Sequence, residues 1–302
     1  MKKNKWTLMA VTALAVFGLA VSSCKKTTTP APNEETGTSA DNATAEHTVS
    51  DLTMMAAQSS DGSSGLSSYR EIGGDDAILG LSCATVMRDT THKIITVTFN
   101  GSTPCLDGKT RSGSVIINYS GCTAGAKHYR DPGFSCTVST NAYVVNGYQV
   151  NVVNKTVTNT TSSGFNPMSV NETWSITANV NIVKPGGGTI SWNCNRTKTL
   201  LNTSDTSVYH GAPRAITWSK AKVGLTGSAS GTCANGNSFT ANVASQLVRD
   251  FTCNVGGVCP FIQGVLDFTP TGHPTRVIDY GPGTCDLDAT VTVNGVTTHI
   301  TL

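Results

Sequence analysis

The sequence predicts an all-β body: a large antiparallel meander of about 12–14 strands forming a curled sheet or open barrel, preceded by a disordered tether. Three observations carry this expectation. From about Leu79 to Leu302 apolar and polar side chains alternate with period two, as in Val170, Glu172, Trp174, Ile176, Ala178, Val180 and Ile182 against Ser169, Asn171, Thr173, Ser175, Thr177, Asn179 and Asn181. Only a strand sends such sets to opposite faces. Turn signals separate the alternating runs: Asn146-Gly147, Asn235-Gly236 and Asn294-Gly295 suit the positive φ values of type I′ hairpins, and Pro185-Gly186-Gly187-Gly188 reverses the chain. Over the same span no segment has an apolar repeat of 3.6 residues.

The N-terminus reads differently. Lys2, Lys3 and Lys5 precede an uncharged apolar run from Leu8 to Val21, the layout of a secretory signal peptide over 1–23. The run is short for a bilayer span. It ends in Val21-Ser22-Ser23-Cys24, which resembles the lipobox cleaved ahead of an acylated cysteine, so Cys24 is expected to carry the lipid, palmitate included, that anchors the chain.

Residues 24–78 follow as the expected tether, rich in Thr, Ser, Ala, Asn and Gly and poor in large apolar side chains. A short helix over Asp51 to Gln58, capped by Asp51, is the one ordered element expected there. Charge divides along the chain. Residues 25–78 carry 3 basic and 9 acidic residues, whereas 79–302 carry 15 basic and 10 acidic. The basic body is therefore expected to favour anionic surfaces.

Within 79–302 the runs Ile95-Val97-Phe99, Val115-Ile117-Tyr119 and Phe239-Ala241-Val243 each read as a half-buried strand. The longest alternating run, Met168 to Val183, would extend roughly 50 Å at about 3.3 Å per residue, which suits a broad curled sheet better than a compact sandwich. A transmembrane barrel would alternate too, but aromatics make up only 6% of the chain, too few for two interfacial girdles.

Ten cysteines in an exported chain point to structural disulfides. Cys24 apart, the expected pairs are Cys83 with Cys105, and Cys253 with either Cys259 or Cys285. Cys136, Cys194 and Cys233 fall inside predicted strands and read as buried thiols. No C-x-x-C pair supports zinc.

A search for chemistry yields few groups. Glu172 is the one glutamate after residue 78 and sits between Val170 and Trp174 on an apolar face. A register break that leaves it wet is the expected resolution. Asp286 and Asp288, two residues apart, form a calcium candidate, with exposed strand-end acids as the alternative. Neither G-x-S-x-G nor H-E-x-x-H occurs, no cofactor and no catalytic residue is expected, and nothing points to nucleic acid. A binding patch is expected from two runs, Trp192, Arg196 and Lys198 in the first and Trp218, Lys220 and Lys222 in the second. Paired in even register, they would set Arg196 opposite Trp218 and Lys222 opposite Trp192, within reach of cation–π contact with each other, as an aromatic and cationic patch for an anionic glycan or lipid headgroup.

Asp107-Gly108-Lys109-Thr110-Arg111-Ser112-Gly113, Tyr129-Arg130-Asp131-Pro132-Gly133 and Gly283-Thr284-Cys285-Asp286 with Ala289 to Val296 resemble a β-rich, uncharacterised lipoprotein family of the Bacteroidota, over nearly the whole chain. The resemblance implies export, lipidation and a β-rich domain, and no catalytic role. In that phylum acidic residues after the acylated cysteine accompany surface display. Here Lys25-Lys26-Thr27-Thr28 follows, which favours an outer-membrane protein facing the periplasm. The expected role is a non-catalytic binding or structural module of the cell envelope. The alternatives are a carrier of an apolar ligand in a half-barrel, and a glycan or ester hydrolase. A dry concave face would favour the carrier, and a core filled by Trp174, Trp192 and Trp218 would oppose it.

Overall fold

The computed structural model describes residues 36–61, 83–105, 107–123, 128–162, 171–210, 215–253, 255 and 260–301, all within one compact unit, 35–302. Cys24, Cys259 and most of the residues flanking the expected tether helix lie outside the described residues.

One helix, α1 (Thr36–Asp61), precedes fifteen strands. These are β1 (Ala84–Asp89), β2 (Ile94–Asn100), β3 (Arg111–Asn118), β4 (Ser135–Val145), β5 (Tyr148–Asn159), β6 (Glu172–Val183), β7 (Thr189–Leu200), β8 (Tyr209–His210), β9 (Ala215–Ile216), β10 (Lys222–Thr232), β11 (Ser238–Asp250), β12 (Phe261–Pro270), β13 (Arg276–Pro282), β14 (Asp288–Val293) and β15 (Val296–Thr301). Thirteen of them form one antiparallel sheet in the order β1 to β7, then β10 to β15, and β8 and β9 make a separate short pair. Each strand of the sheet pairs with its neighbours in sequence, and β1 and β15 remain its two edges, so the meander is curled and not closed into a barrel.

The alternation holds where it was clearest. In β6 Glu172, Trp174, Ile176, Ala178, Val180 and Ile182 are buried, with the intervening residues more exposed. The strand begins at Glu172, shorter than the run from Met168 suggests, and Met168 to Val170 lie outside the described residues. Asn146-Gly147 and Asn294-Gly295 have positive φ at both positions, as type I′ turns require. Asn235-Gly236 departs from that expectation. Only Gly236 has positive φ (88°), and Cys233 N–H donates to Asn237 O across the loop. This is the wider hairpin in which glycine takes the left-handed position after an ordinary turn.

The largest departure lies before the sheet. Residues 36–61, expected as tether, form a 26-residue helix. Asp51 sits inside it and not at its cap. From Leu52 to Ser60 every residue is buried, so the helix lacks the single apolar stripe by which sequence would announce it. Its many hydroxyls are accommodated locally: Thr44, Thr48 and Thr53 Oγ1 donate to the carbonyls of Ala40, Thr44 and Val49 four residues back. Ala40, Ala43, Ala45, Leu52, Met54, Met55, Ala56 and Ala57 supply helix propensity.

The curled sheet wraps α1. Arg111 on β3, Lys155 on β5, Trp192 and Arg196 on β7 and Arg276 on β13 all reach it, donating to Asp51, Thr53, Asn42, Glu46 and Ser39 at 2.7 to 3.1 Å. Lys184, in the turn between β6 and β7, adds a 2.6 Å ion pair with Asp41. The trough is therefore lined by cations that meet the acids of the chain's own helix. Beside the helix Trp174, Trp192 and Trp218 are fully buried, with Tyr129 stacked on Trp174 at 4.8 Å between centroids.

Candidate functional site

The disulfides pair Cys83 with Cys105 and Cys253 with Cys285, resolving the open choice at Cys253. Cys136, Cys194 and Cys233 are buried, and Cys233 Sγ lies 3.8 Å from Thr38 O of α1. Asp286 precedes β14, and its Oδ1 accepts the Asp288 N–H at 3.0 Å, so the two acids form a turn and not two ligands on one strand face. Among the described residues no group of three or more His, Cys, Asp or Glu could hold a metal ion.

Glu172 is not wet. It is fully buried, and Arg130 holds both its carboxylate oxygens, Nε at 2.8 Å from Oε2 and Nη2 at Oε1. Pairing, and not a register break, resolves the cost of that charge.

The six residues of the expected patch are divided by the fold. Trp192, Arg196 and Lys198 share the inner face of β7 and are buried. The second run does not continue as a strand: a 3-10 turn over Trp218–Lys220 separates β9 from β10. β7 therefore pairs with Lys222–Thr232, setting Arg196 opposite Gly227 and Trp192 opposite Gly231. Lys220 is exposed at the end of the turn, and Lys222 forms a 3.1 Å ion pair with Asp250 on β11. The turn drops Trp218 into the core, where Lys198 Nζ lies 3.9 Å from its ring centroid. With Trp218 it is Lys198 and not Arg196 that makes the cation–π pair, and this face of β7 is buried.

What the inner face surrounds is a cavity of about 410 Å³ between α1 and β10 to β13. Its walls are largely apolar, with Leu247, Phe261, Leu266, Phe268, Ile278 and Ile300 among them. On this side α1 sets short residues, Ser39, Ala43, Ser50 and Thr53, between the longer Glu46, His47 and Met54. The facing strands bend away at irregular register. β10 shifts between Leu225 and Ser228, and β11 against β12 shifts repeatedly between Val243 and Arg249. Glycine permits two of these bends: Gly227 (φ +103°) and Gly264 (φ +108°) would each place a Cβ 2.2 Å from a backbone oxygen of the neighbouring strand.

Three cations border the cavity. Arg196 donates from Nη2 to Glu46 Oε2 at 2.7 Å and from Nη1 to Gly227 O at 2.8 Å, leaving its buried Nε without a partner among the described residues. Arg249 lies 4.5 Å from the Phe261 ring centroid, and its buried Nε likewise has none. Lys198 is 8% exposed, and its contacts are the Trp218 face and Met54 Sδ at 4.0 Å, with no carboxylate among the described residues. Burial first, then the charges of Arg249 and Lys155, push its ammonium down to about 7. His47, also on the cavity wall, is lowered by burial and by Arg249 and Lys109. Arg249 and His47 were invisible to sequence reasoning, the first because a bulge resets its face and the second because its helix had no readable stripe. No protein-family model, curated protein or solved structure matches the chain.

Proposed function

We propose that this chain is an exported lipoprotein, acylated at Cys24 and held on the outer membrane facing the periplasm, whose β body is a non-catalytic module that binds a small, largely apolar ligand. The carrying observation is the 410 Å³ cavity with its apolar walls, a volume inside the roughly 300–1,000 Å³ range of small-molecule sites. The acids that sequence singles out have structural partners instead: Glu172 pairs with Arg130, and Asp286 accepts the Asp288 amide. The three tryptophans and α1 occupy the trough, which argues against an open groove along it and directs the carrier reading to the cavity beside them.

The full chain carrying Cys24→Ser, purified without lipid or detergent, should bind N-phenyl-1-naphthylamine saturably, with a rise in probe fluorescence. Leu247→Trp, which fills the cavity from a buried position, should abolish the signal while leaving the circular dichroism spectrum intact. Equal binding by the filled variant would remove the ligand site. Separately, a palmitate analogue fed to cells should label the wild-type chain and not Cys24→Ser, and label retained by the variant would remove the anchor.

A further inference from the structure

We infer that the cavity's ligand is a single-chain amphiphile with an anionic headgroup, the headgroup held at Lys198 and the alkyl chain laid along Leu247, Leu266, Phe268 and Ile278. This rests on the reading of the cavity as a ligand site and adds the sign and shape of what fills it.

Two independent features converge. The first is charge. Arg196 is matched by Glu46 at 2.7 Å, but Lys198 and Arg249 border the same space with no carboxylate of their own among the described residues. An isolated buried ammonium is costly, and protein interiors ordinarily pair it or replace it with an apolar residue. Lys198 is more than nine-tenths buried, lines the cavity, and is left with a ring face and a thioether. An incoming anion would give this ammonium the partner the fold withholds. The second is the remainder of the lining. Beyond the cations and the side that α1 supplies, where Glu46 and His47 stand among short polar and apolar residues, the walls are chiefly apolar side chains of β6, β10, β11, β12, β13 and β15. A compact inorganic anion would leave that apolar volume empty, and a neutral hydrocarbon would leave Lys198 unmatched. A molecule with one charged end and one alkyl chain satisfies both.

The charges that act on Lys198 are Arg249 from β11 and Lys155 from β5, and the other charged or titratable groups lining the cavity are Arg196 of β7, Glu46 and His47 of α1 and Tyr280 of β13. The cations outnumber the single carboxylate, which favours an anion and opposes a second cation. Because Lys198 stands near 7 without an anion, binding one takes up a proton, and affinity falls as pH rises above about 7.

The test is isothermal titration of the full chain carrying Cys24→Ser with dodecanoate, dodecyl phosphate and dodecanol at pH 6.5. At least one anion should bind tenfold or more tighter than dodecanol, and the tighter anion tells a fatty acid from a lipid phosphate as the source. Lys198→Met should bring anion and alcohol to within about twofold while dodecanol binding survives. In the wild-type chain the anion's advantage should shrink between pH 6.5 and 8.5, a readout that stands even if the variant folds poorly. Equal affinity for anion and alcohol would overturn the headgroup assignment and leave the apolar site standing, whereas no binding of any of the three would overturn both.

Discussion

A carboxylate out of contact with water survives only if its charge is matched where it sits, and Glu172 meets that condition through a two-point contact from Arg130. Removing one partner strands the other, so Glu172→Ala should destabilise the protein by roughly 3–5 kcal/mol, measured by urea denaturation. The double replacement Arg130→Met with Glu172→Met removes both charges and should recover most of that loss. A double variant no more stable than the single one would show that the pair does more than neutralise itself. Lys198 is the contrasting residue, buried like Glu172 but facing a ring and a sulfur, and for that reason it marks a site while Glu172 marks the core.

At the scale of elements, α1 decides whether the region before the sheet is leash or core. Leu52 and Met55 are fully buried in the same apolar cluster as Ile95, Val115 and Trp192. Leu52→Ala should therefore cost roughly 2–5 kcal/mol of global stability, as expected for a truncated core leucine, and a loss near zero would return α1 to the tether. The helix escaped sequence reading because polar as well as apolar residues of it are buried. Asn42 accepts from Trp192 Nε1 at 2.9 Å and Thr53 accepts from Lys155 Nζ at 2.7 Å, so its buried positions are coded as hydrophilic. Bulges hid residues in the strands by similar logic. In β5 the buried positions run 150 and then 155, 157 and 159, because a register shift between Val152 and Asn154 changes the parity and turns Lys155 inward.

Across the whole molecule, acids of α1 meet cations of the sheet side. Asp41, Glu46 and Asp51 pair with Lys184, Arg196, Lys109 and Arg111, so three of the nine acids of 25–78 are satisfied internally before any outside partner is invoked. The buried lysines also set a pH dependence. Lys198 is pushed down to about 7 and Lys155 to about 8, chiefly by burial, from an ordinary 10.5. From about pH 7 to 9 the unfolded chain thus binds more protons than the folded one, and stability rises with pH. Burial pushes Cys136 up to about 12 and Cys194 to about 11, and these act in the opposite sense only above about 9, where unfolded thiols ionise. The urea midpoint should accordingly be higher at pH 8.5 than at 6.5, and Lys198→Met should flatten part of that rise. A midpoint that falls over this interval would contradict the burial of both ammonium groups.

The sheet, its antiparallel meander and two of its tight turns were legible in the amino-acid order, because side-chain alternation and Asn-Gly pairs are local properties that a strand and a hairpin express directly. The pair Cys83–Cys105 was legible too, while Cys253 stayed open between Cys259 and Cys285 until the fold brought Cys285 to it. What fills the curl, which cations are matched and where a cavity remains emerge only from the folded chain. Those outcomes depend on contacts between residues more than a hundred positions apart, such as Glu46 with Arg196 and Thr53 with Lys155, and on bulges that change which face a side chain occupies. Periodicity carries no record of either, since it describes neighbours along a strand and not partners across a trough.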